Sequence, residues 1–218
     1  GGITRLTESG LSIVDWHPVA GIFPPLNEMQ WENEFNQYKL YPEYQLKNIS
    51  LTLNEFKRIF WWEYIHRMLG RIIGLIAIVP YIFFLIQEKL TKTQKRNYFM
   101  IIALISVQGV LGWIMVKSGL NAETYNGLGV SHFYLTIHLS LALITFCYTF
   151  WQYLQLKKQY FLNSSYEGFN IGTLLTFLLF LQIVLGGLLA GLNGGLVSKT
   201  YPLMNGEFYP SNATFSFY

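Results

Sequence analysis

Uncharged runs set the pattern of this chain: no Asp, Glu, Lys or Arg occurs from Tyr98 to Val116, from Thr124 to Leu156 or from Gly168 to Ser198. At a rise of about 1.5 Å per residue, each run is long enough to cross a bilayer core. A fourth apolar stretch runs through Phe60, Trp61 and Trp62 and ends near Ile86. Thr52 and Glu55 have the spacing of a capping box, which starts this helix ahead of the aromatic triplet, and Pro80 inside it predicts a kink. The remaining helices are predicted at 97–116, 130–155 and 168–190, so the chain crosses the membrane four times. Residues 1–52 are polar and aromatic, interrupted by Pro18, Pro24, Pro25 and Pro42. There Asn27 is placed to cap a short helix with Trp31, Phe35 and Tyr38 on one face, suited to lying on the membrane surface. The expected fold is all-α, a polytopic membrane helical bundle. It divides into an outer segment (1–52), three transmembrane helices (53–156), and a further transmembrane helix with its outer loop (157–218).

Composition narrows the class. Of 218 residues, 52% are hydrophobic and only 12% charged, about half the charged share of a soluble domain. A soluble enzyme is excluded. Cys147 is the only cysteine and lies inside an apolar run, so neither a disulfide framework nor a cysteine metal cluster is available. The net charge of +3 comes from short loops: Gln87 to Tyr98 holds Lys89, Lys92, Lys95 and Arg96, and Gln155 to Glu167 holds Lys157 and Lys158. By the positive-inside rule these loops face the cytoplasm or matrix, and this is a topology signal, with no nucleic-acid footprint. Residues 1–58 carry seven acids against five bases and fall outside. The opening GGITRLTESGLS has no initiator Met and no signal segment, so a preceding segment is expected. Gly1 to Leu11 (GGITRLTESGL) also parallels Gly186 to Leu196 (GGLLAGLNGGL), which suggests a tandem repeat of bundles. If the repeat is real, the chain is an internal portion of a longer protein.

Ionisable groups inside a membrane are costly and mark candidate sites. His66 lies about 10 Å below the start of its span and His138 about 12 Å below the start of its own. Both helices run inward, so the two imidazoles match in depth. That is the arrangement of two axial ligands holding one haem iron between helices. The alternative is an interhelical hydrogen bond from each histidine. Gly70 and Gly74 follow His66 at one-turn steps, and Ser131 and Ala142 flank His138, giving relief for a flat macrocycle or for direct helix packing. Glu63 shares the His66 face and is either a carboxylate of the site or an ion-pair partner of Arg67 at i+4. Arg67 and Arg71, and with the same ambiguity Arg5, suit haem propionates through paired hydrogen bonds or ordinary packing and headgroup contacts. His17 and His132 read as solvated or hydrogen-bonded. Trp31, Trp61, Trp62 and Trp113 read as an aromatic belt at the outer interface.

Taken in order, GGITRLTESGLSIVDW, FPPL, WENEFNQYKLYPEY, EFKRIFWWEYIHRMLGRIIG, QGVLGWIMVKSGL, SHFYLTIHLSLAL and GGLLAGLNGGLVSKTYPLMNG closely resemble the haem A synthase family of mitochondrial and alphaproteobacterial type. The resemblance implies eight helices in two pseudo-symmetric four-helix halves, each with a histidine pair near its outer end. It also implies oxidation of the C8 methyl of haem O to the formyl of haem A by successive hydroxylations. Carried over, EYIHR makes Glu63 the catalytic carboxylate and His66 a haem ligand, and IHLSLAL makes His138 its partner in the half that takes haem O or haem A. Haem b is expected in a second half whose histidine pair is not in this chain, so this polypeptide is expected to be inactive alone. Some family members carry a cysteine pair in an outer loop, and this chain does not. The implied partners are haem O synthase, an electron donor such as ferredoxin or quinol, cytochrome c oxidase assembly factors, membrane lipid and a possible second copy. The implied location is a bacterial plasma membrane or a mitochondrial inner membrane. Two other classes fit the histidine pair: a b-type membrane cytochrome passing electrons from quinol, and a haem chaperone for oxidase assembly.

Overall fold

The computed structural model describes residues 1–15, 20–121, 129–157, 171–197 and 199–208. His17 and Lys158, and with them most of the second basic loop, lie outside the described residues. A short turn of helix, α1 (Gly2–Leu6), precedes a segment with two small helices, α2 (Glu28–Tyr38) and α3 (Pro42–Leu46). Four long helices follow: α4 (Leu53–Ile86), α5 (Lys92–Leu120), α6 (His132–Lys157) and α7 (Ile171–Gly191), then the single turn α8 (Gly194–Val197). Among the described residues, those four are the helices long and apolar enough to cross a membrane, and few of the residues in their apolar stretches are fully buried by protein. Ile73, Ile76, Val79, Phe83, Phe146 and Leu179 stand half or more exposed, an arrangement lipid satisfies and water does not. The chain is an all-α polytopic membrane bundle.

Capping chemistry fixes the helix starts. Thr52 accepts from the Glu55 amide while the Glu55 carboxylate accepts from the Thr52 amide at 2.8 Å, and α4 runs on through Pro80 to Ile86. The same box recurs at Thr91 and Gln94 and begins α5 at Lys92, well ahead of the predicted 97. Lys92, Lys95 and Arg96 therefore sit on the first turns of α5 and not in a loop. Asn27 caps α2 as expected, accepting from the Gln30 amide at 2.9 Å.

The burial of α2 differs from the expectation. Its Trp31, Phe35 and Tyr38 face does not lie on lipid but packs on Phe56 and Phe60 of the first turns of α4, with Val14 completing the cluster. Trp31 meets Phe60 edge-on at 5.0 Å, and the Phe35 and Tyr38 rings lie 5.0 and 5.2 Å from Phe56. Trp31 is thus a core residue, only 7% exposed, whereas Trp61, Trp62 and Trp113 remain outward-facing. The reason is length: at 34 residues α4 is longer than a bilayer core requires, and its first turns offer α2 an aromatic surface to bury against.

Within the membrane, α5 packs along both α4 and α6, and α6 packs along α7. The α6–α7 seam is built on small residues. A Cβ on Gly187 would meet Thr136 at 3.2 Å, and one on Gly191 would lie 2.5 Å from His132 Cβ, the close approach typical of glycines four apart on a membrane helix.

Candidate functional site

α4 carries His66 and α6 carries His138, the latter two turns in from the head of its helix. The Gly1 nitrogen approaches His66 Nδ1 at 3.2 Å. Both rings are half-buried. α5 fills one side between the two helices, while α4 and α6 share no substantial direct packing. Nothing stands within 4 Å of a Cβ placed on Gly70 or Gly74, so these glycines do not serve close helix contact. Ser131, in contrast, ties the α6 entrance to α5, its amide donating to Ser118 Oγ at 3.0 Å.

His138 leans on α5. A Cβ on Gly112 would lie 3.0 Å from His138 Cε1, so glycine there leaves room for the imidazole against the α5 backbone. One turn earlier, Gln108 donates its amide Nε2 to the His138 carbonyl at 2.9 Å. Two buried polar atoms here have no hydrogen-bond partner, Gln108 Oε1 and His138 Nδ1.

Glu63 is almost wholly buried and fully engaged. Its Oε2 accepts from Ser12 Oγ at 2.7 Å and from the Ile13 amide at 2.9 Å, and its Oε1 accepts from Arg67 Nη2 at 2.6 Å and Nε at 3.1 Å. Arg67 Nη2 also donates to the Ile13 carbonyl at 2.9 Å. Carboxylate and guanidinium together fasten the 9–14 loop to α4 one turn above His66. Arg67 borders a cleft between that loop and the outer end of α5, where Trp113 and Lys117 also contribute. Arg71 follows one turn deeper, its Nη1 3.9 Å from Met68 Sδ. Arg5 is directed elsewhere: its Nη2 donates to the Ala190 carbonyl and to Asn193 Oδ1 at the outer end of α7. His132 stacks near Phe133 and packs its Cβ against Gly191, apart from the histidine pair.

Among the described residues no three His, Cys, Asp or Glu side chains gather to hold a bare metal ion. A haem asks for less, because the macrocycle supplies the equatorial donors and the protein only the axial ones. A histidine on each of two spanning helices, the unpartnered Nδ1 of His138 and the open flank at Gly70 and Gly74 fit such a group.

Sequence reasoning missed Gln108, Gly112, Ser12 and Ile13. The first two stand in QGVLGWIMVKSGL, but no periodicity tells which α5 face meets a histidine on another helix. Ser12 and the Ile13 amide lie about fifty residues from Glu63, beyond any local pattern.

Fold and side chains together define a polytopic α-helical membrane protein with a half-buried histidine on each of two spanning helices. The chain belongs to the cytochrome oxidase assembly protein family, whose profile matches residues 1–217. It is 48% identical over 216 residues to a protein of Flavobacterium psychrophilum named Heme A synthase, covering 96% of this chain and 61% of that relative. Proteins of the same name from Pelagibacter ubique and Rickettsia rickettsii are 44% and 43% identical, covering 99% and 100% of this chain and 62% and 65% of theirs. The chain spans about three-fifths of the length of these curated relatives. No solved structure matches it.

Proposed function

We propose that this chain forms the substrate-haem half of a haem A synthase, which oxidises the C8 methyl of haem O to the formyl of haem A by successive hydroxylations. The observation that carries the reading is the histidine pair: one imidazole on each of two spanning helices that both pack on α5 and share no substantial packing with each other. His66 and His138 would hold the haem iron, and the apolar helix faces around them would exclude water from the site. When bound, haem O supplies both the iron redox chemistry and the methyl carbon that is oxidised. Arg67 and Arg71 stand one turn apart on the His66 helix, where guanidinium groups suit propionates. Arg67 would then share its guanidinium between a propionate and Glu63, using its remaining Nη1 donors. Arg5, held to α7, contributes to the same outer rim only through an exchange of partners. An oxidase assembly role, haem O synthase upstream and a ferredoxin or quinol as electron donor follow from this reading, as does a bacterial plasma membrane or mitochondrial inner membrane location.

Glu63 is the proposed catalytic carboxylate, on the strength of the EYIHR motif. Its four accepted hydrogen bonds support a second reading, that it holds the 9–14 loop over the site. Ser12→Ala removes a loop contact and leaves the carboxylate in place. If Glu63→Gln abolishes oxidation with haem still bound while Ser12→Ala spares it, the carboxylate serves the chemistry. Equal losses in the two variants assign Glu63 to loop anchoring.

The function is tested by expressing the full-length protein with a haem O synthase in a host lacking haem A, then identifying extracted haems by chromatography and mass spectrometry. Haem A or its hydroxylated precursor is the expected product. A pigmented protein yielding only haem B and haem O would move the assignment to an electron-transfer cytochrome or a haem chaperone. His66→Ala and His138→Ala are each expected to deplete this haem, and unchanged spectra in both would end the ligand assignment.

A further inference from the structure

The loop that leads into α2 carries large apolar side chains that the protein leaves mostly uncovered: Phe23 is 77% exposed and Leu26 76%. No Asp, Glu, Lys or Arg occurs over residues 16–27. In water such side chains are costly, and an uncovered apolar patch marks a surface that meets something other than solvent. The loop is nonetheless fixed in place. Tyr64 of α4 donates its hydroxyl to the Ile22 carbonyl at 2.6 Å, the Leu26 amide donates to Gln30 Oε1 at 2.6 Å, and Asn27 caps α2. Pro24 and Pro25 have no N–H to satisfy. These arrangements suit an apolar surrounding, where unpaired backbone groups are costly. A residue before proline is held extended, and a polyproline turn takes three residues, which brings Phe23 and Leu26 out on one side.

Tyr64 sets the level of the loop. From Tyr64 to its end at Ile86, α4 is about 33 Å long, close to the roughly 30 Å of a hydrocarbon core. No Asp, Glu, Lys or Arg interrupts residues 72–87, and the basic turn at Lys89, Lys92, Lys95 and Arg96 lies past the opposite end of the helix. Trp61, whose ring centroid is 5.4 Å from that of Tyr64, heads a stripe of exposed apolar residues at helical spacing, Ile65, Leu69, Ile72 and Ile76. That stripe is the lipid-facing surface of α4, and at Tyr64 it passes without a charged break onto Phe23 and Leu26.

We propose that the 22–26 loop is an interfacial wedge, with Phe23 and Leu26 inserted among the lipids of the leaflet beside Trp61 and Tyr64. The face of α2 that carries Trp31 is taken by α4, and the residues just ahead of α2 meet the lipid in its place. Tyr64 stands between Glu63 and His66 in the chain, so the wedge is fastened to the turn of α4 that carries the candidate site. The inference is independent of the haem reading.

The test uses the full-length protein in nanodiscs of phosphatidylethanolamine and phosphatidylglycerol, in a cysteine-free background that includes Cys147→Ser. Nitroxide labels are attached at Phe23→Cys and Leu26→Cys, with exposed Ile76→Cys as the lipid-facing reference and exposed Glu32→Cys as the aqueous one. Power saturation reads collisions with oxygen, which concentrates in lipid, and with a water-soluble nickel chelate. At Phe23 and Leu26 oxygen collisions are expected to exceed nickel collisions, as at Ile76, with nickel access several-fold below that at Glu32. Nickel access equal to that at Glu32 would place the loop in water and overturn the proposal. Low access to both reagents would overturn it as well, because a protein surface, from a second copy or from the rest of the full-length chain, then covers the patch. Should Phe23→Cys fail to accumulate, Leu26→Cys decides.

Discussion

At the scale of single residues, the outer face of the bundle is held by a few buried polar groups whose partners come from distant parts of the chain. Glu63 and Arg67 form a pair with side chains only 3% and 15% exposed, where removing one partner leaves a charge stranded. Arg67→Met is therefore expected to destabilise the 9–14 loop by about 3 kcal/mol, seen as a lower midpoint of thermal unfolding and faster proteolysis between Leu11 and Trp31. A parental melting curve would show that the pair contributes little. Tyr38 is the second such residue. Burial, opposed by the Asn48 amide and reinforced by the charges of Glu43 and Glu63, pushes its phenol up to about 12 from an ordinary 10. The neutral form is favoured in the fold, so this contribution is intact below pH 10 and disappears as pH rises through about 12. Trp31 fluorescence should report loosening of the outer core over that window. Tyr38→Phe should remove the corresponding component of the alkaline transition.

Among the elements, close packing divides sharply between the two faces of α7. Gly187 and Gly191 press on α6, whereas a Cβ on neighbouring Gly186 would touch nothing within 4 Å. Gly191→Ala places its methyl 2.7 Å from the His132 Cα, a backbone atom that cannot swing aside, so α6 and α7 must separate. A loss of about 1–3 kcal/mol is expected, against almost none for Gly186→Ala. Thermal melts of the two variants in the same detergent make the comparison. The clamp of α2 onto α4 follows similar logic through ring packing: Phe56→Ala, at a position with 0% exposure, is expected to cost about 3–5 kcal/mol and to free α2 for protease attack.

For the molecule as a whole, the two glycine-rich passages fold alike. With Gly1 aligned on Gly186, α1 ends at Leu6 and α7 at the equivalent Gly191. Glu8 and its equivalent Asn193 both take the left-handed conformation, at φ 52° and 53°. Thr7 and Leu192 donate to Ile3 and Leu188, and Glu8 and Asn193 donate to Arg5 and Ala190. Arg5 then donates across to Ala190, its own equivalent. Equivalent positions meeting in this way are what a two-fold relation between parallel helices produces. The orientation assigned by the basic residues can be checked in a Cys147→Ser background. Lys89→Cys should react with a membrane-impermeant maleimide only from the cytoplasmic or matrix side, and Glu32→Cys only from the outer side. The reverse pattern would invert the topology.

The sequence by itself determined what depends on composition and local spacing: four membrane-spanning helices, the caps at Asn27 and Thr52, and the face shared by Trp31, Phe35 and Tyr38. These are consequences of hydropathy and of a rise per residue that is the same in every α-helix. The early start of α5 was legible too, since Thr91 and Gln94 repeat the Thr52 and Glu55 signal, but the basic residues beside them masked it. Only the tertiary structure decided where each face goes. Trp31 entered a protein core because the first turns of α4 meet it, and Glu63 received Ser12 and the Ile13 amide because the chain turns back over α4. Gln108 and Gly112 came to His138 because α5 lies between α4 and α6. Such partners are separated by tens of residues, and their meeting depends on helix packing, which a linear pattern does not encode.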